Sequence, residues 1–289
     1  MSKLPVSVSA WQARGKTCKI SGLDVFFRDI GGTSSDAVLF LHGFPSSSYD
    51  WHTVFPLLGD DKRIICLDFI GFGLSEKPKN HSYSLFEQAD IVEQLLKQQG
   101  IKRVKIIAHD MGTTVTCELL ARREKKLLGF GIQSVLLMNG SVHIELAHLT
   151  PSQQLLRSPL GSIFAKLSSQ LIFKAQLKKI LGKPVLNEEL DAMWALMSYR
   201  QGKARLAQTI SYIEERYRFS HRWIPPLTRL DIPVLILWGK KDPVAVAAIA
   251  EKLAQEIPTA KLQWLPQLGH YPQLEDPVAV ADAFNLFLA

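Results

Sequence analysis

The segment IIAHDMGTTV, residues 106–115, runs a β-branched apolar stretch into a histidine, an aspartate, a methionine and a glycine. An ionised carboxylate taken out of water must be paired, hydrogen-bonded or neutralised, so Asp110 at the tip of an apolar strand needs a use. A carboxylate with a reference pKa of about 3.9 is already charged at neutral pH and requires no base before it attacks. It can displace a leaving group from a saturated carbon, and the ester so formed must then be hydrolysed by water. His270, in LGHYP, is a candidate base for that water, and Asp242, in GKKD, a candidate to orient its ring and stabilise the imidazolium. Singly, each has a plainer reading: Asp110 as a helix N-cap before MGTTVTCELLARR, Asp242 before Pro243 as a turn residue, His270 as a loop histidine. Together, each at the end of its own strand, they form a catalytic set. Asp242 is preferred as the acid because the preceding core strand ends in MNGSVH, which offers only Asn139.

The elements that must position these residues read as strands alternating with helices. DVFFRDIG (24–31), AVLFLHG (37–43), RIICLDF (63–69), VKIIAHD (104–110), IQSVLLMNG (132–140), VLILWG (234–239) and KLQWLP (261–266) are short, apolar and bounded by turn residues. Continuous rather than alternating apolarity is what strands buried on both faces of a parallel sheet require. SLFEQADIVEQLLKQQG (84–100) returns Leu85, Ala89, Val92, Leu95 and Leu96 to one face and stops at Gly100. This alternation predicts a doubly wound sheet. From about 141 to 227 strand patterns give way to helical ones, such as NEELDAMWALMSYRQGKARLAQTISYIEERYR. The chain therefore divides into a core of 1–140 and 228–289 and an inserted helical cap of 141–227. In an open parallel sheet, reactive groups belong at the carboxyl ends of the strands, where LHGFP, HDMG, GKKD and LGHYP fall.

Composition excludes several alternatives. At 289 residues and 47% hydrophobic content the chain has the make-up of a globule with a large core. The formal charge of +7 comes from scattered Lys and Arg with only short clusters such as Arg122, Arg123, Lys125 and Lys126, which is a solvated basic surface and not a nucleic-acid footprint. Cys18, Cys66 and Cys117 lie far apart and suit a reducing compartment better than a disulfide or zinc framework. No charged segment leads into a long apolar run at the N-terminus, and no stretch has the length of a membrane span, so a cytoplasmic location is expected. The chemistry outlined needs no metal and no organic cofactor, only a small apolar organic substrate and water.

The order Asp110, Asp242, His270, with the elbow Ala108-His109-Asp110-Met111-Gly112, resembles the triad of the α/β-hydrolase fold with Asp in place of the usual Ser. LHGFPSSSYDW (41–51) looks like the oxyanion loop of epoxide hydrolases, and LDFIGFGLSEKP (67–78) is similar to the loop after the next strand. The resemblance is to the Asp-nucleophile branch of epoxide hydrolases and haloalkane dehalogenases, and covers nearly the whole length. YIEERYRFSHRW and GHYPQLEDP look most like the mesoderm-specific-transcript subgroup.

The resemblance implies an α/β-hydrolase fold, a doubly wound, mostly parallel sheet with an inserted helical cap. It places the backbone N–H groups of Phe44 and Met111 at the oxyanion hole, gives His42 and His109 supporting roles for that loop and the elbow, and matches Tyr212 to the family's second ring-opening tyrosine. A phenol suits that task because it stays protonated at neutral pH. The first such tyrosine has no counterpart, since 143–198 contains no Tyr. A dehalogenase would need N–H donors around a halide, typically a Trp directly after the nucleophile, where Met111 stands. Phe44 likewise occupies a place where some dehalogenases carry Asn. Trp194 could supply one donor, although its neighbours Leu190, Met193 and Met197 also fit core packing. Epoxide hydrolysis through an ester on Asp110 is the leading expectation; carbon–halogen hydrolysis and a non-catalytic small-ligand sensor are the alternatives.

Overall fold

The computed structural model describes residues 4–59 and 61–289. Eight strands, β1 (Lys16–Ile20), β2 (Leu23–Ile30), β3 (Asp36–Leu41), β4 (Ile64–Leu67), β5 (Arg103–His109), β6 (Gly131–Met138), β7 (Val234–Gly239) and β8 (Ala260–Leu265), form one sheet in the order β1-β2-β4-β3-β5-β6-β7-β8. β1 and β2 pair antiparallel, as do β2 and β4, and the other pairs are parallel. The helices are α1 (Val6–Ala13), α2 (Leu85–Gln98), α3 (Met111–Glu124), α4 (Pro151–Arg157), α5 (Gly161–Leu167), α6 (Gln170–Lys178), α7 (Asn187–Ser198), α8 (Leu206–Thr209), α9 (Tyr212–Trp223), α10 (Ala247–Glu256), α11 (Pro272–Glu275) and α12 (Pro277–Leu288).

Both faces of the central strands are buried. Leu39, Leu41, Ile106, Ala108, Leu137, Ile236 and Trp238 point into one core, and Val38, Phe40, Ile107, Leu136, Leu235 and Leu237 into the other. The period of two that assigns alternate side chains to opposite faces thus explains the unbroken apolar runs. α2 begins where Ser84 accepts from the Phe86 N–H at 3.2 Å, and ends before Gly100, whose φ of +71° only glycine adopts without cost.

Three features differ from the sequence reading. β1 was not anticipated, because KTCKI at the sheet edge is largely polar, shows no apolar run and buries little beyond Ile20. α1 likewise lies ahead of the first anticipated strand. The helical pattern of 187–218 is interrupted: α7 stops at Ser198 and the chain turns through left-handed conformations at Arg200 and Gln201 before α8 and α9. All strand-free helical structure of α4–α9 does fall between β6 and β7. Among the described residues no helix is long and apolar enough to cross a membrane.

α9 is tied to the core helix α3 by a buried carboxylate. Glu118 is fully buried and accepts from Arg122 Nε at 2.8 Å, Arg222 Nε at 2.6 Å and Trp223 Nε1 at 2.9 Å. Burial alone would raise its pKa, but these donors outweigh it and hold the carboxyl below its ordinary value of 4.5. A depressed carboxyl stabilises the fold in full above its unfolded pKa and loses that contribution as the pH falls through the folded one. Glu118→Gln is expected to destabilise by about 3 kcal/mol at neutral pH in urea unfolding, the low end for breaking a buried ion pair. The gap between parent and variant should close as the pH is lowered below 4.5.

Candidate active site

β5 runs through the middle of the sheet and ends at His109, and α3 starts at Met111, so a single residue turns the chain from strand to helix. That residue, Asp110, has φ 42° and ψ −108°, a conformation costing an L-residue roughly 1–3 kcal/mol. Small neighbours make the turn fit: a Cβ on Gly43 would stand 2.6 Å from the Asp110 Cβ, and one on Gly112 2.7 Å from the Leu41 carbonyl oxygen. Asp110 is 4% exposed. Its Oδ2 accepts from the Phe44 N–H at 2.9 Å, and the Arg216 guanidinium of α9 lies 3.5 Å from Oδ1 while donating to the Asp110 carbonyl at 3.0 Å. Burial would raise the Asp110 pKa, but the charges of Arg216 and His270 and the Phe44 N–H together hold it below the usual carboxylate value.

The loops after β7 and β8 bring Asp242 and His270 together. His270 Nδ1 donates to Asp242 Oδ2 at 2.7 Å. Asp242 Oδ1 accepts from the N–H groups of Val244 at 2.8 Å and Ala245 at 3.0 Å, and Asn139 Nδ2 donates to Oδ2 at 2.8 Å. Asn139, at the end of β6, therefore fills the place where an alternative acid would stand and instead helps to fix Asp242. Burial pulls the His270 pKa down, but the Asp242 charge and hydrogen bond, with Asp110 adding, push it up to about 9.

The loop after β3 is held from beneath. His42 Nε2 accepts from the Phe69 N–H at 3.0 Å, which puts its proton on Nδ1, donating to the Gly43 carbonyl at 2.8 Å. His109 Nε2 donates to the His270 carbonyl at 2.7 Å, and Gln273 Nε2 donates to its Nδ1 at 3.3 Å. Burial, with the His270 charge, pushes the His109 pKa down to about 3, so both rings are neutral supports. Met111 opens α3 directly after Asp110, and its N–H belongs to the first helical turn, whose donors have no partner within the helix. Tyr271 Oη donates to the Phe44 carbonyl at 3.2 Å, and the buried Asp50 carboxyl, which accepts from Ser46 Oγ, is pushed up to about 8 by burial and the nearby Asp68 and Glu189 charges.

A cavity of about 440 Å³ adjoins the site. Phe44, His270 and Tyr271 form its floor, and Leu149, Leu156, Phe164, Phe173 and Leu177 are among the apolar side chains that close it. Tyr212 is 1% exposed, with its ring 5.5 Å from that of Phe44 and 4.6 Å from the Arg216 guanidinium, and burial raises its pKa further above 10. Asp110 and Tyr212 are not among the residues of the cavity wall. Trp194 is not brought to the site: its ring packs against Phe173 at 5.5 Å from the α7 side, because α7 turns its apolar face to the helices around it. Among the described residues no group of three His, Cys, Asp or Glu is arranged to hold a metal.

A family model described as alpha/beta hydrolase fold matches residues 36–277. The chain belongs to that family. It is 40% identical over 279 residues, 96% of each chain, to a Mycobacterium tuberculosis protein named as a hydrolase, LipZ. It is 34% identical to the mouse mesoderm-specific transcript protein, covering 99% of this chain and 89% of that one. A solved haloalkane dehalogenase, DbeA of Bradyrhizobium elkani, superposes with a TM-score of 0.78 at 23% identity over 95% of this chain and 97% of that one, a likeness of fold.

Sequence reasoning on this hydrolase missed Arg216, Asn139 and Tyr271. Arg216 sits in a segment with Arg218 and Arg222, and nothing in the spacing marks which of the three turns inward. A histidine whose folded pKa exceeds its ordinary 6.5 stabilises the fold in full below 6.5, and that contribution is lost as the pH rises through about 9. Asp242→Asn removes the main cause of the upward shift and leaves burial in command. The His270 Cε1–H resonance, followed by NMR, is expected to titrate below pH 6.5 in Asp242→Asn and near 9 in the parent.

Proposed function

We propose that this hydrolase opens epoxides to diols through an ester on Asp110, with residues 141–227 acting as the cap over the site. The observation that carries the reading is the Asp110 carboxylate itself, ionised, nine-tenths buried, and held by the Phe44 N–H through one oxygen only. Oδ1 attacks the ring carbon, the carbon–oxygen bond breaks, and the alkoxide takes a proton that the Tyr212 phenol supplies. Arg216 offers a second donor on the side of Oδ1, where the sequence lacks the family's first cap tyrosine. Water, giving a proton to His270, then attacks the ester carbonyl; the Cγ–Oδ1 bond breaks, Oδ1 leaves in the diol with a proton returned by His270, and the water oxygen stays in the Asp110 carboxylate. The oxyanion forms on Oδ2, which already accepts from Phe44 and which the Met111 N–H can join; one such donor is typically worth about 3 kcal/mol.

The raised pKa of His270 fits the sequence of steps. In the resting site the ring is an imidazolium at neutral pH and cannot act as a base. Esterification removes the Asp110 charge, one of the interactions that favour the protonated ring, and so lowers the His270 pKa; the ring gives its proton to the phenolate left on Tyr212 and is then the base for the attacking water. Carbon–halogen hydrolysis would use the same ester, and the dehalogenase-like fold favours it as the second reading. Its halide, however, would lack the usual Trp donor, since Met111 follows the nucleophile. Intact machinery for both steps argues against a purely ligand-sensing role.

The test is a single turnover. His270→Gln offered styrene-type and aliphatic epoxides, beside bromoalkanes, should gain the mass of one substrate on a peptide containing Asp110 and then stall. Parent protein turned over once in ¹⁸O-water should carry the label in the Asp110 carboxylate. Label confined to product would mean direct attack by water and would sink the ester. Tyr212→Phe is expected to slow epoxide opening about 10²-fold in pre-steady-state measurements while leaving halide displacement unchanged; equal rates would remove Tyr212 from the site.

A further inference from the structure

The helices that wall the cavity carry a surface that the chemistry does not use. Thirteen large hydrophobic residues are exposed among the described residues, and six of them, Leu155, Leu160, Ile163, Leu167, Leu171 and Ile172, fall within α4–α6 and their connections. Leu167 and Leu171 are 73% and 79% exposed. They arise from the helical period. α5 turns Gly161 and Ala165 inward, so Ile163 and Leu167, four apart, stand together on the outer face. α6 turns Phe173 and Leu177 inward, leaving Leu171 and Ile172 outside. A soluble chain seldom collects exposed apolar side chains in this way without a partner.

The charge around the patch has one sign. Between Glu145 and Glu188 the sequence contains no acidic residue, but has Arg157, Lys166, Lys174, Lys178, Lys179 and Lys183. Arg157, Lys174 and Lys183 are paired with Glu214, Asp191 and Asp276. Lys166, Lys178 and Lys179 make no ion pair among the described residues, and all three are exposed, Lys166 on α5 and Lys178 and Lys179 at the end of α6. Lys179 also borders the cavity, whose apolar wall is built by the inner faces of the same helices.

We propose that this face docks on an anionic lipid surface, with α5 and α6 lying in the headgroup plane and the cavity walled by their inner faces brought close to the bilayer. Short amphipathic helices with leucines on the outside and unpaired lysines at their edges bind membranes in this manner, the apolar side chains entering the interface and the lysines meeting lipid phosphates. A protein partner for the patch would need a matching acidic apolar face, while a phospholipid surface supplies both chemistries at once. The helices are too short to span, so binding is peripheral and reversible. An apolar substrate dissolved in the bilayer would then enter the site without crossing water. That last step rests on the cavity serving the proposed reaction; the docking itself does not.

Vesicle flotation of the full chain tests docking without any assay of activity. The protein should float with vesicles of phosphatidylcholine mixed with phosphatidylglycerol, much less with phosphatidylcholine alone, and should be released at high salt. Ile163→Glu with Leu167→Glu and Leu171→Glu should lower the floated fraction at least about tenfold, and Lys166→Glu with Lys178→Glu should remove the preference for anionic vesicles. None of these five side chains lines the cavity, so an unchanged thermal midpoint and far-UV circular dichroism would establish that folding is intact. Absence of flotation, flotation that both variants retain, or a parent dimer that the triple variant converts to monomer would each overturn the proposal, the last by showing that a second copy covers the face.

Discussion

Everything in the site follows from keeping one carboxylate charged where water hardly reaches. Asp110 is offered a single backbone donor by its own sheet neighbour, and that alone would not offset the cost of desolvation. The balance comes from Arg216, which arrives from the helical segment between β6 and β7. Arg216 Nε donates to Thr114 Oγ1 at 2.8 Å, one turn along α3 from Asp110. Glu118, one turn further, receives Arg222 and Trp223 from the next turns of α9. The same pair of helices is thus joined twice on one face of α3, and the charge state of Asp110 is coupled to the docking of α9. Loosening α9 would leave an unpaired buried carboxylate, so the two segments hold each other in place.

The strained backbone at Asp110 has the same origin. A strand that passed into its helix through a longer loop would let the side chain rotate away from the Phe44 N–H. With one residue between β5 and α3, the positive φ aims the carboxylate at the crevice between the β3 and β6 loops, and Gly43 and Gly112 allow the neighbouring backbones to come close enough. Asn139, at the end of the adjacent strand, is also left-handed, with φ 43°. Its side chain bridges the Gly239 N–H at 2.9 Å, the Asp242 carboxylate and the Gly269 carbonyl at 3.3 Å, tying together the three loops that deliver the acid and the histidine.

The parts legible in the sequence were those governed by period and strand ends. Seven strands, the parallel core and the positions of Asp110, Asp242 and His270 past the carboxyl ends of β5, β7 and β8 follow from apolar runs and turn residues, because burial on both faces of a sheet imposes that pattern wherever it occurs. β1 escaped because an edge strand buries so little that its composition is unconstrained. Arg216 escaped for a different reason. Whether an arginine on an amphipathic helix meets solvent or a buried acid depends on how that helix sits against α3, and its own segment, with three arginines and two glutamates, looks like a solvated helix from any side. Asn139 was read as the lack of an acid when its amide is the group that fixes the acid elsewhere, a role visible only once β6 and β7 are paired. Trp194 matched a donor by residue type, but residue type carries no direction.

Arg216 would be a poor choice if its only effect were to neutralise the nucleophile, since a carboxylate oxygen tied up by a short, charge-assisted hydrogen bond is less able to attack. The distances separate these two effects. Its shorter contacts, 2.8 and 3.0 Å, go to Thr114 and to the Asp110 carbonyl, whereas Oδ1 is 3.5 Å away, beyond an effective hydrogen bond. A Coulomb interaction falls off slowly over such a difference. The guanidinium, fixed by neutral partners, therefore lends Asp110 its charge while leaving Oδ1 without a strong donor. In the proposed cycle that same charge becomes uncompensated once Asp110 is esterified. It then favours whatever negative charge develops next in the site, first on the departing oxygen and then on the ester carbonyl.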